Sequence, residues 1–263
     1  MKENNKITVI IPLEEYNEEV SYYFKKAVES IKKTGKTFEK DSLTVVIAGN
    51  KETTEKAVNV AEGILNGYTV ESYVSEDTKF CTLVNGAVFA CTTPYFSVLE
   101  FDDEFSKNAF ANFNEYSSRN DASVYLNITK LVDANTDKDG ERHLLGFGNE
   151  LAWASSFSEE YGYIGKEEIG IYSGYVVDGG FVRTEDFISM KGLVKNYKLV
   201  CWYDYLSRLI LDEKKIYVIP KNGYIHTVGR KGSYTDRFVS NEETYSELEN
   251  LYKEISDRHK KEE

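Results

Sequence analysis

Strand-like and helix-like runs alternate through the first 105 residues, and that rhythm limits the fold more than any other feature. "KITVIIP" (Lys6 to Pro12) is a β-branched run closed by a proline, which predicts a buried strand. "EEVSYYFKKAVESIKK" follows, with Val20, Phe24, Ala27 and Ile31 at helical spacing. "SLTVVIAG" predicts a second strand, ended by Gly49. "TTEKAVNVAEGIL" predicts a second amphipathic helix, with Val58, Ala61 and Leu65 on one face. "YTVESYV" alternates like a strand, and "FCTLVNGAVFAC" is a small-residue helix suited to close packing on a sheet. "YFSVLEF" is the fourth strand. This order implies an α/β fold with a mostly parallel central sheet flanked by helices and joined by right-handed crossovers. Ligands of such sheets bind beyond the carboxyl ends of the strands.

The fourth strand runs into Glu100, Asp102, Asp103 and Glu104, four acidic residues out of five. Carboxylates this close repel one another. A divalent cation relieves them, and Mn2+ or Mg2+ is commonly held by one or two carboxylates plus phosphate oxygens. The cluster lies where a ligand is expected. The plainer reading is a solvated helix start, in which Asp103 and Glu104 suit the helix dipole. No G-x-G-x-x-G or P-loop lysine follows the first strand, which disfavours dinucleotide dehydrogenases and P-loop enzymes. A nucleotidyltransferase would want a glycine-rich basic loop there, and "PLEEYNEE" is acidic.

The net charge of −12 argues against general nucleic-acid binding, which needs a basic face. No apolar run approaches the ~20 residues of a transmembrane segment, and "MKENNK" does not read as a leader, so cytoplasmic residence is expected. Cys81, Cys91 and Cys201 lack C-x-x-C spacing and are expected as reduced core residues.

In the second half, "SKNAFANFNEYSSR" predicts a helix, and "ASVYLNITKLV" and "ERHLLGFG" predict two strands. The loop between them places Asp133, Asn135 and Asp137 at alternate positions. It lacks the Gly and Glu of a calcium loop, so it reads as a polar hairpin turn. Gly146 to Gly180 shows little periodicity and reads as a mobile binding loop or an irregular connection.

Taken in order from Lys6 to Ser233, these motifs resemble the family 2 glycosyltransferases, which have the GT-A fold. "VIIP" looks like that family's first strand, and "LEFDDE" is similar to its Leu-Asp-x-Asp-Asp-Glu pattern, with Glu100 in the place of the first Asp. "VNGAVFA", which holds Asn85, precedes it as in the family. "WYDYLSRLI" resembles the family's Glu-Asp helix, with Tyr203 and Asp204 in those two places. "YVIPKNGYIHTVGRKGS" resembles the closing strand and basic loop.

The resemblance implies a metal-dependent, inverting transferase. Such an enzyme moves a sugar from a nucleotide-diphosphate donor, with UDP the expected nucleotide, to a saccharide or protein hydroxyl. It implies Asp102 as a ligand of Mn2+ or Mg2+ and Asp204 as the general base; should Asp204 prove only a helix-start carboxylate, Asp178 and Glu185 are the next candidates. Donor contacts are expected from Pro12, Tyr16, Asn50, Asn85, Glu100, Phe101 and Arg230. Tyr16 would stack on the base, and Glu100 would face the ribose. Asn50 stands nearest the place where the family has a base-reading Asp; this chain has Ala48 and Gly49 there. His226 reads either as a further metal ligand or as a hydrogen-bonded strand-end histidine. Arg230 and Lys231 suit a diphosphate, or are loop charges.

Residues 1–240 are expected as a single domain, with a donor half (1–105) and an acceptor half (106–240). The tyrosine-rich stretch Glu159 to Tyr175 would line an acceptor cleft. Residues 241–263 are expected as a helical tail behind a capping box at Ser240 and Glu243. Its apolar stripe, Tyr245, Leu248, Tyr252 and Ile255, would pack on the domain or on a partner, including a second copy. Truncation after Ser240 is expected to spare nucleotide binding. The altered base-reading positions leave a second class open: an inactive module on the same fold.

Overall fold

The computed structural model describes residues 6–35, 40–136, 142–239 and 242–260. The first half follows the expected rhythm: β1 (Ile7–Pro12), α1 (Glu18–Gly35), β2 (Leu43–Gly49), α2 (Lys51–Ile64), β3 (Thr69–Val74), α3 (Phe80–Phe89) and β4 (Tyr95–Val98). Then come β5 (Glu104–Phe105), α4 (Ala109–Ser117), β6 (Val124–Asp133), β7 (Leu144–Gly148), β8 (Tyr163–Ile164) and α5 (Lys166–Ile171). The chain continues with β9 (Phe181–Arg183), α6 (Thr184–Ser189), α7 (Cys201–Leu211), β10 (Ile216–Val228), α8 (Tyr234–Val239) and α9 (Glu242–Lys260).

The strands form one sheet in the order β3-β2-β1-β4-β9-β6-β10-β5, with β7 beside β6 and β8 beside β10. Strands β1, β2, β3, β4, β6 and β10 share one direction, and the short β5, β7, β8 and β9 run against them. The period-two alternation of β1 and β2 divides the core between the sheet's faces. Ile7, Val9, Ile11, Val45 and Ile47 face the α1 and α2 side, where Phe24, Ile31 and Ala57 cover them. Ile10, Val46 and Ala48 face α3, with Leu83 and Val84.

Close packing explains the small residues of α3. A Cβ added to Gly86 would stand 2.0 Å from the Tyr73 hydroxyl on β3. The stretch 146–180 is better anchored than its composition suggests. Buried Asn149 donates from Nδ2 to the carbonyls of Asn127 and Val176 and accepts from the Val176 N–H. Residues 137–141, at the tip of the predicted hairpin turn, and Ser240 of the predicted capping box lie outside the described residues. Among the described residues no helix is long and apolar enough to cross a membrane.

The expected boundary at residue 240 divides a shared core. Leu248 and Ile255 of α9 are 6% and 0% exposed and belong to the cluster that also holds Ile169, Tyr203 and Leu206. Ser256 Oγ donates to the Gly170 carbonyl, and Tyr252 meets the Tyr203 ring at 5.5 Å. The apolar stripe, expected to pack on the domain or on a partner, is largely spent on the chain's own domain. Burying one Leu and one Ile stabilises by about 3–6 kcal/mol together. Truncation after Val239 is therefore expected to lower the urea midpoint sharply or to leave the chain aggregated. A truncated chain with the parent's midpoint would show α9 to be an appendage.

Candidate active site

The strands bring three segments to one rim. Strand β4 ends at Val98, and Leu99 still donates to the Ile10 carbonyl of β1. The chain then turns through Glu100 to Asp103, closed by the Asp103 N–H on the Glu100 carbonyl. The loop before β9 arrives at the same rim, because the Gly179 N–H donates to the Val98 carbonyl at 2.7 Å. Gly179 has φ +72°, and a Cβ there would strike the Tyr224 ring at 1.9 Å. Only glycine allows that approach, and it fixes Asp178 beside Glu100. The third segment is the end of β10 and the turn "GRKG", with Gly229 and Gly232 at positive φ.

Asp103 and Glu104 do not start a helix. Asp103 is 1% exposed, and its carboxylate accepts from the Thr227 N–H at 2.7 Å and meets His226 Nδ1 at 2.8 Å. Glu104 lies on β5, paired with β10, and bonds Arg142. Their partners come from β10 and from the segment before β7, so the local helix-start reading had no access to them. Helix α4 starts only at Ala109.

Asp102 is 6% exposed. Its Oδ2 accepts from Arg230 Nε at 2.7 Å, and Arg230 also reaches Glu19 at 3.2 Å and covers the Phe101 ring at 4.9 Å. Burial and the neighbouring Asp103 push Asp102 above the ordinary carboxylate range, against the pull of Arg230. Glu100 is pushed well above that range by burial and by Asp178, Asp103 and Asp102. Burial raises Asp178 to about 7, with His226 opposing and Asp103 adding to the rise. Burial alone would lower His226, but the Asp103 carboxylate outweighs it and holds the ring charged, up to about 10.

Two clefts open on this cluster. The first, about 550 Å³, is lined by Pro12, Glu14, Phe101, Asp102, Arg230 and Lys231, among others. The second, about 420 Å³, is lined by Tyr175, Asp178, Trp202, Tyr203, Tyr245 and Tyr252, among others. Phe80, Glu100, His226 and Thr235 line both, so the clefts meet at the acidic cluster.

Of the residues singled out in the sequence, Pro12, Glu100, Phe101, Asp102, His226 and Arg230 line the first cleft together. Four other candidates are not. Asn50 caps α2, its Oδ1 accepting from the Thr53 N–H at 2.9 Å, and it lines neither cleft. Tyr16 packs edge-on against Phe24 and donates to Ser21 Oγ, outside both clefts. Asn85 is 3% exposed and clamps the turn after α6, exchanging hydrogen bonds with the Leu193 backbone. Asp204 is 1% exposed and lines neither cleft. Its two oxygens are taken by Arg208 Nε at 2.8 Å and Arg258 Nη1 at 3.0 Å. A carboxylate held this way has no open path to an acceptor proton.

Among the described residues no three His, Cys, Asp or Glu side chains already converge as a metal cage. A Mg2+ or Mn2+ ion that binds with a diphosphate needs only one or two protein carboxylates. Asp102, which lines the first cleft in a cluster short of positive charge, fits that requirement. His226 would have only its Nε2 to offer, and only after losing the proton that Asp103 helps it keep, since Nδ1 faces Asp103.

The fold is that of the GT-A glycosyltransferases. Among solved structures the chain is similar to S. aureus TarS 1-349 in complex with UDP-GlcNAc, with a TM-score of 0.69, 18% identity, and coverage of 94% of this chain and 65% of that one. It is also similar to the mannosyltransferase PcManGT from Pyrobaculum calidifontis in complex with GDP-Man and Mn2+, with a TM-score of 0.64, 13% identity, and coverage of 98% and 74%. The chain spans 42% of the longer TarS structure. No family model matches the chain, and no curated protein matches it by sequence.

Proposed function

We propose that the chain is an inverting glycosyltransferase that takes a nucleotide-diphosphate sugar in the first cleft and an acceptor hydroxyl in the second. The carrying observation is that two clefts meet at one buried acidic cluster, with a metal-competent Asp102 on one side and Asp178 on the other. Arg230 and Lys231 stand where a diphosphate would lie, and planar guanidinium recognition suits phosphate oxygens. Bound beside Asp102, Mg2+ or Mn2+ would supply charge stabilisation to the departing nucleoside diphosphate. Asp102 and Arg230 orient the donor, with Phe101 and Pro12 as apolar lining beside them.

The proton-accepting role falls to Asp178 rather than Asp204. Asp178 lines the second cleft, and Trp202 Nε1–H donates to its Oδ1 at 3.0 Å, leaving Oδ2 for an acceptor hydroxyl. A base whose pKa lies near the working pH is the effective kind, and burial has brought Asp178 to about 7.

A thermal-shift panel of UDP-glucose, UDP-GlcNAc and GDP-mannose, each with Mn2+, tests the donor half. One nucleotide class is expected to raise Tm, since a ligand at 100 times its Kd stabilises the folded state by about 2.7 kcal/mol. No shift with any of them would overturn the reading. A shift without donor hydrolysis would instead support the inactive module.

A further inference from the structure

The proposed reading leaves open what enters the second cleft. Tyr175, Trp202 and Tyr203 form the inner side. The outer side comes from α9, beyond the last strand, through Tyr245, Leu248 and Tyr252. Tyr245 is 47% exposed, although it lies on the same helix as the buried Leu248 and Ile255. Polar groups are placed among these rings: Ser173 and Asp178, with Lys198 and Glu249 of opposite charge.

Flat apolar faces with a few polar groups at the edges match a pyranose ring, which has C–H faces and equatorial hydroxyls. Resting on the reading of the first cleft as a donor site, we propose that the second cleft holds an uncharged pyranose of the acceptor, with the α9 tyrosines as its outer wall, so that α9 sets acceptor choice. Side chains of α9 tie the wall to the core. Tyr252 packs on Tyr203, and Arg258 is ion-paired with Asp204 on α7, the helix that also carries Trp202. Asp204 in this arrangement is a positioning residue for the acceptor wall. The volume of about 420 Å³ accommodates one or two rings.

Saturation-transfer NMR with methyl glucosides, methyl galactosides and methyl N-acetylglucosaminides, in the presence of UDP and Mg2+, tests this. The parent is expected to give ring-proton enhancements from at least one pyranoside. Tyr245→Ala should weaken that binding about three- to tenfold, the worth of one stacked ring, and Tyr245→Phe should restore it. UDP affinity, read separately by calorimetry, should match across the three proteins. Absence of enhancement from every pyranoside would overturn the proposal, as would equal affinity in Tyr245→Ala. A parent that binds a pyranoside but no nucleotide would sink the donor reading alone.

Discussion

Asp102→Asn is expected to abolish the metal dependence of nucleotide binding. In the parent, UDP or its relative should bind at least about tenfold more tightly with Mn2+ than with EDTA, a difference of ~1.4 kcal/mol. Three charges compete at the site. Without ligand, Asp102 is paired with Arg230 at 2.7 Å. A diphosphate arriving alone meets both that carboxylate and Arg230, so attraction and repulsion largely cancel. A divalent ion held by Asp102 would reverse the balance and leave Arg230 free for phosphate. The neutral amide of the variant neither repels the diphosphate nor holds the ion. The variant should therefore bind nucleotide in EDTA at least as well as the parent and gain little from Mn2+. Arg230 keeps Glu19 and the Phe101 ring, so the fold should survive, and circular dichroism checks that. Metal-independent affinity in the parent, or a full metal effect in Asp102→Asn, would reject Asp102 as the ligand.

What the sequence could disclose was set by the reach of each partner. The alternation of β1 to β4 with α1 to α3 is local, and the strands and helices stand where their patterns put them. The acidic cluster was legible because its four residues are neighbours. The fate of its members was not, since Asp103 is satisfied by His226 and Thr227 more than 120 positions away. Asn50 carried a readable signal in its own type, an N-cap asparagine just before a helical run. Its place near the end of β2 drew the reading toward a ligand instead. Asp204 likewise had Arg208 four residues on, a helix-face ion pair. Its second partner, Arg258, lies in a segment expected to be separable. Asp178 offered a weaker sign: a lone carboxylate in the apolar run "YVVDGGF", just before two glycines.

The sharpest contrast is expected between Asp178→Asn and Asp204→Asn, because the structure gives the two carboxylates opposite surroundings. The amide at position 178 keeps an oxygen for Trp202 Nε1–H and removes only the proton acceptor. Transfer should fall by roughly 10²- to 10⁴-fold, the scale of a positioned general base, with UDP affinity and Tm close to the parent's. Hydrolysis of the donor by water serves as the assay, since water must also lose a proton. The same change at position 204 does something different. It leaves Arg208 and Arg258 facing a neutral amide in a site where the carboxylate was 1% exposed. Stripping one partner from a buried ion pair costs ~3–5 kcal/mol. The arginines here are 23% and 34% exposed, so water recovers part of that and the lower end is expected. The urea midpoint should drop while donor hydrolysis by the folded fraction stays within severalfold. Helix α9 should loosen with it, since Arg258 loses its anchor on α7. If Asp204→Asn melts like the parent yet loses turnover, the proton goes to Asp204 through a rearrangement that opens the pair. Full turnover in Asp178→Asn would remove Asp178 from the reaction and leave Glu100 as the remaining carboxylate that lines both clefts.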